Sequence, residues 1–258
     1  MDDKYSDFVY TMRTILIVIG TTLIEIYYAS PGIMLYKYNK EKIPEKMIPT
    51  LQILTNLFNT ITWIISGIKA NAAGQSFTVD ETQKIVCNSI GTAIGVVLTF
   101  FLWLVYSKNK KSEHLIYLFM IYNVFIQIFY IIFRINCPML SKSMSIILNI
   151  IMYSTPLIYS YYAYRCNNRK IIPIVNVAFG TSAAAAWACY ALFGYFGQKE
   201  PKFQDWEDWD SLVANSLSLL VLIPNIVLYF KVDKKEGDVI SIDALLINEE
   251  DKSKDNEL

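Results

Sequence analysis

Charge is scarce in this chain, and histidine is scarcer. Only 18% of the 258 residues are Asp, Glu, Lys or Arg, and the single histidine is His114. No Ser/His/Asp arrangement, no glycine-rich phosphate loop and no paired catalytic carboxylates are found, so enzyme chemistry has nothing to stand on. The four cysteines, Cys87, Cys137, Cys166 and Cys189, lack metal-ligand spacing. Packed or free thiols are expected for them, with a Cys87–Cys137 disulfide as the alternative, since those two fall near the same membrane face. His114 stands at the expected start of a helix, where a capping or solvated role suits it. No enzyme activity, cofactor, metal or nucleic-acid partner is expected.

What the chain has in abundance is apolar surface: 54% of its residues are hydrophobic and 14% aromatic, and the few charges cluster between long apolar runs. That is the pattern of an all-α polytopic membrane protein with the lipid bilayer as its solvent. Seven runs are long enough to span a hydrocarbon core, near 12–37, 47–68, 85–106, 115–134, 144–164, 171–195 and 211–230. They read as helices, because the alternation of a barrel strand is missing and lipid leaves no backbone group unpaired. The opening "MDDKYSDFVYTMR" is acidic and lacks a small-residue cleavage site, so residues 1–11 are read as an extracytosolic N-terminus rather than a cleaved signal. The segments "YKYNKEKIPEK", "YSKNKKSEH", "YRCNNRK" and "KVDKKEG" are basic, whereas "DWEDWD" and the stretch around Asp80 and Glu81 lie in the alternate loops. The positive-inside rule then places the C-terminus in the cytosol, with 231–258 as an acidic, disordered tail.

Two halves of the chain repeat each other. Pro31, Trp63 and Asn88 recur in the same order as Pro156, Trp187 and Asn215, each roughly 125 residues later. The expected organisation is a three-helix repeat over 12–106, a linking fourth helix with its loops over 107–143, and a second three-helix repeat over 144–230. The copies start four helices apart, so they enter the membrane in the same direction. Two such parallel units around an axis along the membrane normal enclose a central path, which is a transporter layout.

The repeated residue types indicate what suits that path. Proline in a helix interior removes a backbone hydrogen bond and lets the segments pivot. Pro31, Pro156 and Pro173 lie in the same, cytosolic halves of their spans, while Trp63, Asn88, Trp187 and Asn215 lie nearer the outer halves. Tryptophan offers an apolar face, and asparagine both donates and accepts hydrogen bonds. Together they suit a neutral polyol ring, apolar on its faces and hydroxyl-rich at its edge. Glu25, well inside the first run in "TTLIEIYYASP", is the exception. An ionisable group at that depth is either protonated and bonded to tyrosines or to hydroxyls of another helix, or it is a proton-sensitive functional group.

The motifs "MYSTPL", "NNRKIIP", "AAAAWACYALFG" and "ANSLSLLVLIPNIVLYF" resemble the second repeat of the SWEET sugar transporters. The resemblance runs over all seven helices and is most specific in the last three. It implies bidirectional, facilitated sugar diffusion by alternating access, with Asn88 and Asn215 as the pocket asparagines and Trp63 and Trp187 as pocket walls. It further implies that Pro31, Pro156 and Pro173 are hinges, and it allows for a homo-oligomer. Two bulky indoles favour a monosaccharide. The chain departs from the family pattern in helix two, where the hinge proline would fall near Gln52 and the nearest proline, Pro49, comes about one turn earlier. It also has Ala214 where a proline often precedes the seventh-helix asparagine, Ser89 where a glycine is expected, and an additional Pro224. The alternative is a proton-coupled transporter of amino acids or other small solutes, of the related PQ-loop kind, which Glu25 favours. A seven-helix receptor fits less well, because no acidic-Arg-aromatic triplet follows helix three, where the chain reads "LVYSKNKK".

Overall fold

A computed structural model describes residues 3–41, 49–72, 79–105, 138–165, 167–196 and 209–232. Among these residues the regular structure is helical: α1 (Asp3–Ala29), α2 (Pro31–Glu41), α3 (Thr50–Ala72), α4 (Val79–Val105), α5 (Pro138–Ser154), α6 (Pro156–Arg165), α7 (Ile174–Phe196) and α8 (Trp209–Lys231), with a short 3₁₀ turn at Arg169–Ile171. The linking helix expected at 115–134 lies outside the described residues, as do Cys137, Cys166 and His114.

Two expected spans are each divided in two by a proline. Ser30 separates α1 from α2, and Thr155 separates α5 from α6, with Pro31 and Pro156 opening the second piece of each. Proline has no N–H, so the carbonyl four residues back, Tyr27 or Met152, loses its helical donor. The residue before each proline supplies a replacement. The Ser30 hydroxyl donates to the Tyr27 carbonyl at 2.8 Å, and the Thr155 hydroxyl donates to the Met152 carbonyl at 2.7 Å. The two kinks are therefore built by the same device, a hydroxyl standing in for the missing amide.

Pro49 and Pro173 play a different geometric part. Each sits just before a helix, α3 or α7, and its carbonyl accepts the first helical amide, from Ile53 at 2.9 Å and from Val177 at 3.0 Å. Fourteen residues separate each of these prolines from the tryptophan of its own helix. Pro49, one turn early by the family pattern, thus matches Pro173 in register within this chain.

Four stretches are long and apolar enough to cross a membrane: Asp7–Tyr36, Ile85–Leu102, Ile174–Phe196 and Ser211–Lys231. Their outward surfaces carry large exposed apolar side chains such as Val18, Ile19, Val97, Phe100, Leu220 and Phe230. The interior carries the polar ones. α3 alone buries Thr50, Gln52, Thr55, Asn56, Asn59, Thr60 and Thr62. Apolar outside and polar inside is the arrangement that lipid selects, and the chain is an α-helical membrane protein.

The helices pack in matching order in the two halves. α4 lies against both α1 and α3, and α8 lies against both α5–α6 and α7. The halves meet where α1 packs on α7 and where α3 packs on α5. At their junction lies a core of Ile24, Tyr27, Tyr28, Met152, Tyr153, Val177 and Leu222, with the Tyr27 and Tyr153 rings 5.0 Å apart. Two glycines make room for these rings. A Cβ on Gly180 would stand 2.9 Å from the Tyr27 ring, and one on Gly91 would stand 2.7 Å from the Tyr28 ring.

Candidate functional site

The four residues singled out from the repeat occupy two helix pairs. Trp63 on α3 and Asn88 on α4 belong to one half, and Trp187 on α7 and Asn215 on α8 to the other. Trp63 and Asn215 are buried, while Asn88 and Trp187 are half-buried. Trp63 and Trp187 each stand thirteen residues into their helices, about 20 Å from the proline end at 1.5 Å per residue. The two tryptophans therefore lie away from the proline end.

Their local surroundings differ. The Asn215 amide donates to the Ser211 carbonyl at 2.8 Å and to its hydroxyl at 3.4 Å, both one turn back on α8. The backbone carbonyl of Asn88 accepts the Thr92 hydroxyl at 2.8 Å. Thr92 also meets the Thr60 hydroxyl at 2.9 Å, which ties α4 to α3 one turn from Asn88. The Trp187 indole lies on the backbone of α1, where a Cβ on Gly20 would stand 3.0 Å from its ring. Tyr190 meets Trp187 edge-on at 5.5 Å, and the Arg13 guanidinium covers Tyr190 at 4.4 Å and donates to its hydroxyl at 2.7 Å. Trp187 is thus held by contacts between the two halves of the chain.

The structure adds polar residues that the repeat comparison missed. Asn59 donates to the Asn149 side-chain carbonyl at 3.3 Å, and Asn149 donates to the Ser218 hydroxyl at 3.2 Å. This chain of neutral groups joins α3 of one half to α5 and α8 of the other, and all three residues are buried. A second set of bonds links the halves at the proline kinks. The Tyr27 hydroxyl donates to the Met152 carbonyl at 3.1 Å, and the Asn176 amide donates to the Ser30 hydroxyl at 2.5 Å and to the Tyr27 carbonyl at 3.5 Å. Each carbonyl released by a proline therefore receives a donor from the opposite half as well as from its own. The signal for α3 was present in the sequence as amides at helical spacing in "LQILTNLFNTITW", four, three and four residues apart from Gln52 to Trp63. The signal for the kinks was the Ser-Pro and Thr-Pro pair.

Among the described residues Glu25 bonds to no tyrosine or hydroxyl, although one reading of it expected such a bond. One carboxyl oxygen accepts the Cys87 thiol at 3.5 Å, and the other is buried with no hydrogen-bond partner among those residues. Cys87 is a free, buried thiol, which leaves the disulfide alternative unsupported on its side of the pair. Among the described residues no group of three or more His, Cys, Asp or Glu side chains is arranged to hold a metal ion.

No protein-family model matches the sequence. No curated protein matches it either. A search of solved structures finds a eukaryotic SWEET transporter solved at 3.7 Å resolution, with a TM-score of 0.63 and 14% sequence identity, covering 88% of this chain and 100% of that one. Paired kinked spans, a third helix packed centrally in each half and a polar junction between halves thus sit within a fold that a solved transporter shares. The chain has the fold of a SWEET transporter.

Proposed function

We propose that this protein is a bidirectional facilitated sugar transporter that works by alternating access, with a monosaccharide as its preferred substrate. The observation that carries the reading is the cross-half chain from Asn59 through Asn149 to Ser218. Neutral amides and hydroxyls buried between two halves, where lipid offers them nothing, match a solute rich in hydroxyls and without charge. In this reading a sugar enters between the halves from the side away from the prolines. It rests against Trp63 and Trp187 with its hydroxyls on Asn88 and Asn215. The halves then rock about Pro31, Pro49, Pro156 and Pro173 to open the opposite side, which the basic loops place in the cytosol. Net flux follows the sugar gradient.

The Ser-Pro and Thr-Pro kinks support the hinge assignment, because their freed carbonyls are satisfied by side-chain hydroxyls that can exchange partners without breaking a helical ladder. Pro156→Ala restores the amide and lets α5 and α6 run on as one helix. The expected result is slower sugar exchange with little change in equilibrium binding, measured as counterflow and as binding on the same preparation. Unchanged exchange would make the proline a tolerated residue only.

Glu25 favours a second reading, proton-coupled transport of an amino acid or another small solute, because one of its oxygens is buried without a partner. One experiment separates the two. Purified protein in liposomes is given radiolabelled glucose with and without a pH gradient, beside Asn215→Ala. Uptake that only equilibrates, ignores the gradient and drops in Asn215→Ala supports the uniporter. Accumulation driven by the gradient supports the proton-coupled reading and makes Glu25 the leading coupling residue. Absence of glucose flux in folded protein overturns the glucose assignment and moves the test to other sugars and then amino acids.

A further inference from the structure

Five side-chain atoms on one face of α3 are buried and have no hydrogen-bond partner among the described residues: both amide atoms of Gln52, both of Asn56 and the Asn59 carbonyl oxygen. Their residues are 1%, 2% and 0% exposed, so no outside solvent satisfies them. Leaving such atoms dry inside a membrane protein forfeits their hydration with nothing in return. Three of these buried amides along one helix form a structural liability unless something polar visits them.

The direction of that face is set by its neighbours. Asn59 reaches Asn149 on α5, and residues three and seven positions before it, Asn56 and Gln52, share its face of the helix. The other side of α3 is occupied by α4, where Leu57 packs on Gly95 and Thr60 meets Thr92. The amides thus lie toward the junction between the halves. Gln52 lies beside the Tyr27 hydroxyl. That hydroxyl spends its proton on the Met152 carbonyl, and Gln52 reaches no partner at hydrogen-bonding geometry. The register-matched positions on α7, counted from Pro173 as Gln52 and Asn56 are from Pro49, carry Asn176 and Gly180. Asn176 also leaves its carbonyl oxygen buried and unpaired. At the next position the second half has glycine where the first has an amide, so the polar ladder belongs to α3.

We infer that Gln52 and Asn56 form a second polar subsite, distinct from the Trp63, Asn88, Trp187 and Asn215 set and nearer the proline end, which takes up hydroxyl groups of a neutral polyol as it passes between the halves. Primary amides suit this task because each offers two donors and an acceptor to hydroxyls of either polarity. The inference rests on the transport reading above, and its test is chosen so that either can fail alone.

Replacing an unpaired buried amide by a similar-sized apolar residue removes no internal bond. Gln52→Leu and Asn56→Leu are therefore expected to melt at the same temperature as the parent or higher, and to raise the glucose KM about fivefold or more, the loss of about one hydrogen bond. An unchanged KM in both variants overturns the subsite, and so does a lower melting temperature, which would mean the amides are internally bonded. Independently of flux, Asn56→Cys in a background with the four native cysteines replaced is exposed to a small water-soluble thiosulfonate with and without glucose. Modification that glucose slows supports the subsite. Absence of modification, or modification that glucose leaves unchanged, overturns it. Glucose protection in a protein that moves no glucose would overturn the transport reading and keep the subsite.

Discussion

Gly180→Val is expected to leave little folded protein. Gly180 faces the Tyr27 ring so closely that a Cβ would stand 2.9 Å from two of its carbons and 3.3 Å from Tyr153. Tyr27 cannot withdraw. It is fully buried, its ring lies 5.0 Å from Tyr153, and its hydroxyl is tied to the Met152 carbonyl at 3.1 Å. Valine adds three carbons to this space, and overpacking costs about 1–3 kcal/mol and occasionally more, with this site at the severe end because the Cβ alone already overlaps the ring. The expected observation is loss of the monodisperse peak in detergent, or a steep fall in melting temperature for whatever remains. Pairing the milder Gly180→Ala with Tyr27→Leu opens the space again and recovers part of the loss. A melting temperature for Gly180→Val equal to the parent's would show that the two halves do not meet through Tyr27.

The second large effect belongs to Asn149. Asn149→Leu removes the acceptor of the Asn59 amide and the donor to Ser218 in one step. Asn59 then loses its amide acceptor while keeping the sulfur contact to Met152 at 3.6 Å, and its carbonyl oxygen has no hydrogen-bond partner among the described residues already. Interhelical bonds in membranes are worth about 0.6–1.7 kcal/mol each and a stranded buried amide about 1–3, so the loss comes to about 2–6 kcal/mol. The check is a double-mutant cycle with Asn59→Leu, followed by thermal unfolding in one detergent. The double variant is expected to be more stable than Asn149→Leu alone, because it removes the stranded amide as well. Strict additivity would mean the bond between Asn59 and Asn149 does not form.

Most of the architecture could be read from residue patterns. Long apolar runs marked the spans, and the described helices overlap six of the seven expected runs, but several begin well before them: α1 begins at Asp3, inside the segment 1–11 read as an N-terminal extension, rather than near 12. α4 begins at Val79 rather than near 85, and α5 begins at Pro138 rather than near 144. Hydropathy registers where lipid ends, whereas hydrogen bonding carries a helix nearly two further turns or more past that point. The kinks were legible because proline acts locally, through its own missing N–H. The polar ladder was less legible. Its amides lowered the apolarity of α3, so that among the described helices α3 does not stand with the four long apolar spans. Composition alone cannot say whether such residues face lipid, water or another helix.

That division has a physical origin. Local chemistry is written in the chain: the scarcity of charge, the apolar runs, the Ser-Pro and Thr-Pro breaks and the recurrence of Pro, Trp and Asn are each properties of a few neighbouring residues. Pairing is not. That the Tyr27 hydroxyl reaches the Met152 carbonyl 125 residues away, that Asn176 closes on Ser30, and that Glu25 meets Cys87 rather than a tyrosine depend on how α1 lies on α7 and α4. Helix rotation and crossing are fixed by the packing of whole faces, such as Tyr27 against Gly180 and Leu57 against Gly95, so the partners of buried polar groups emerge only once those faces have met.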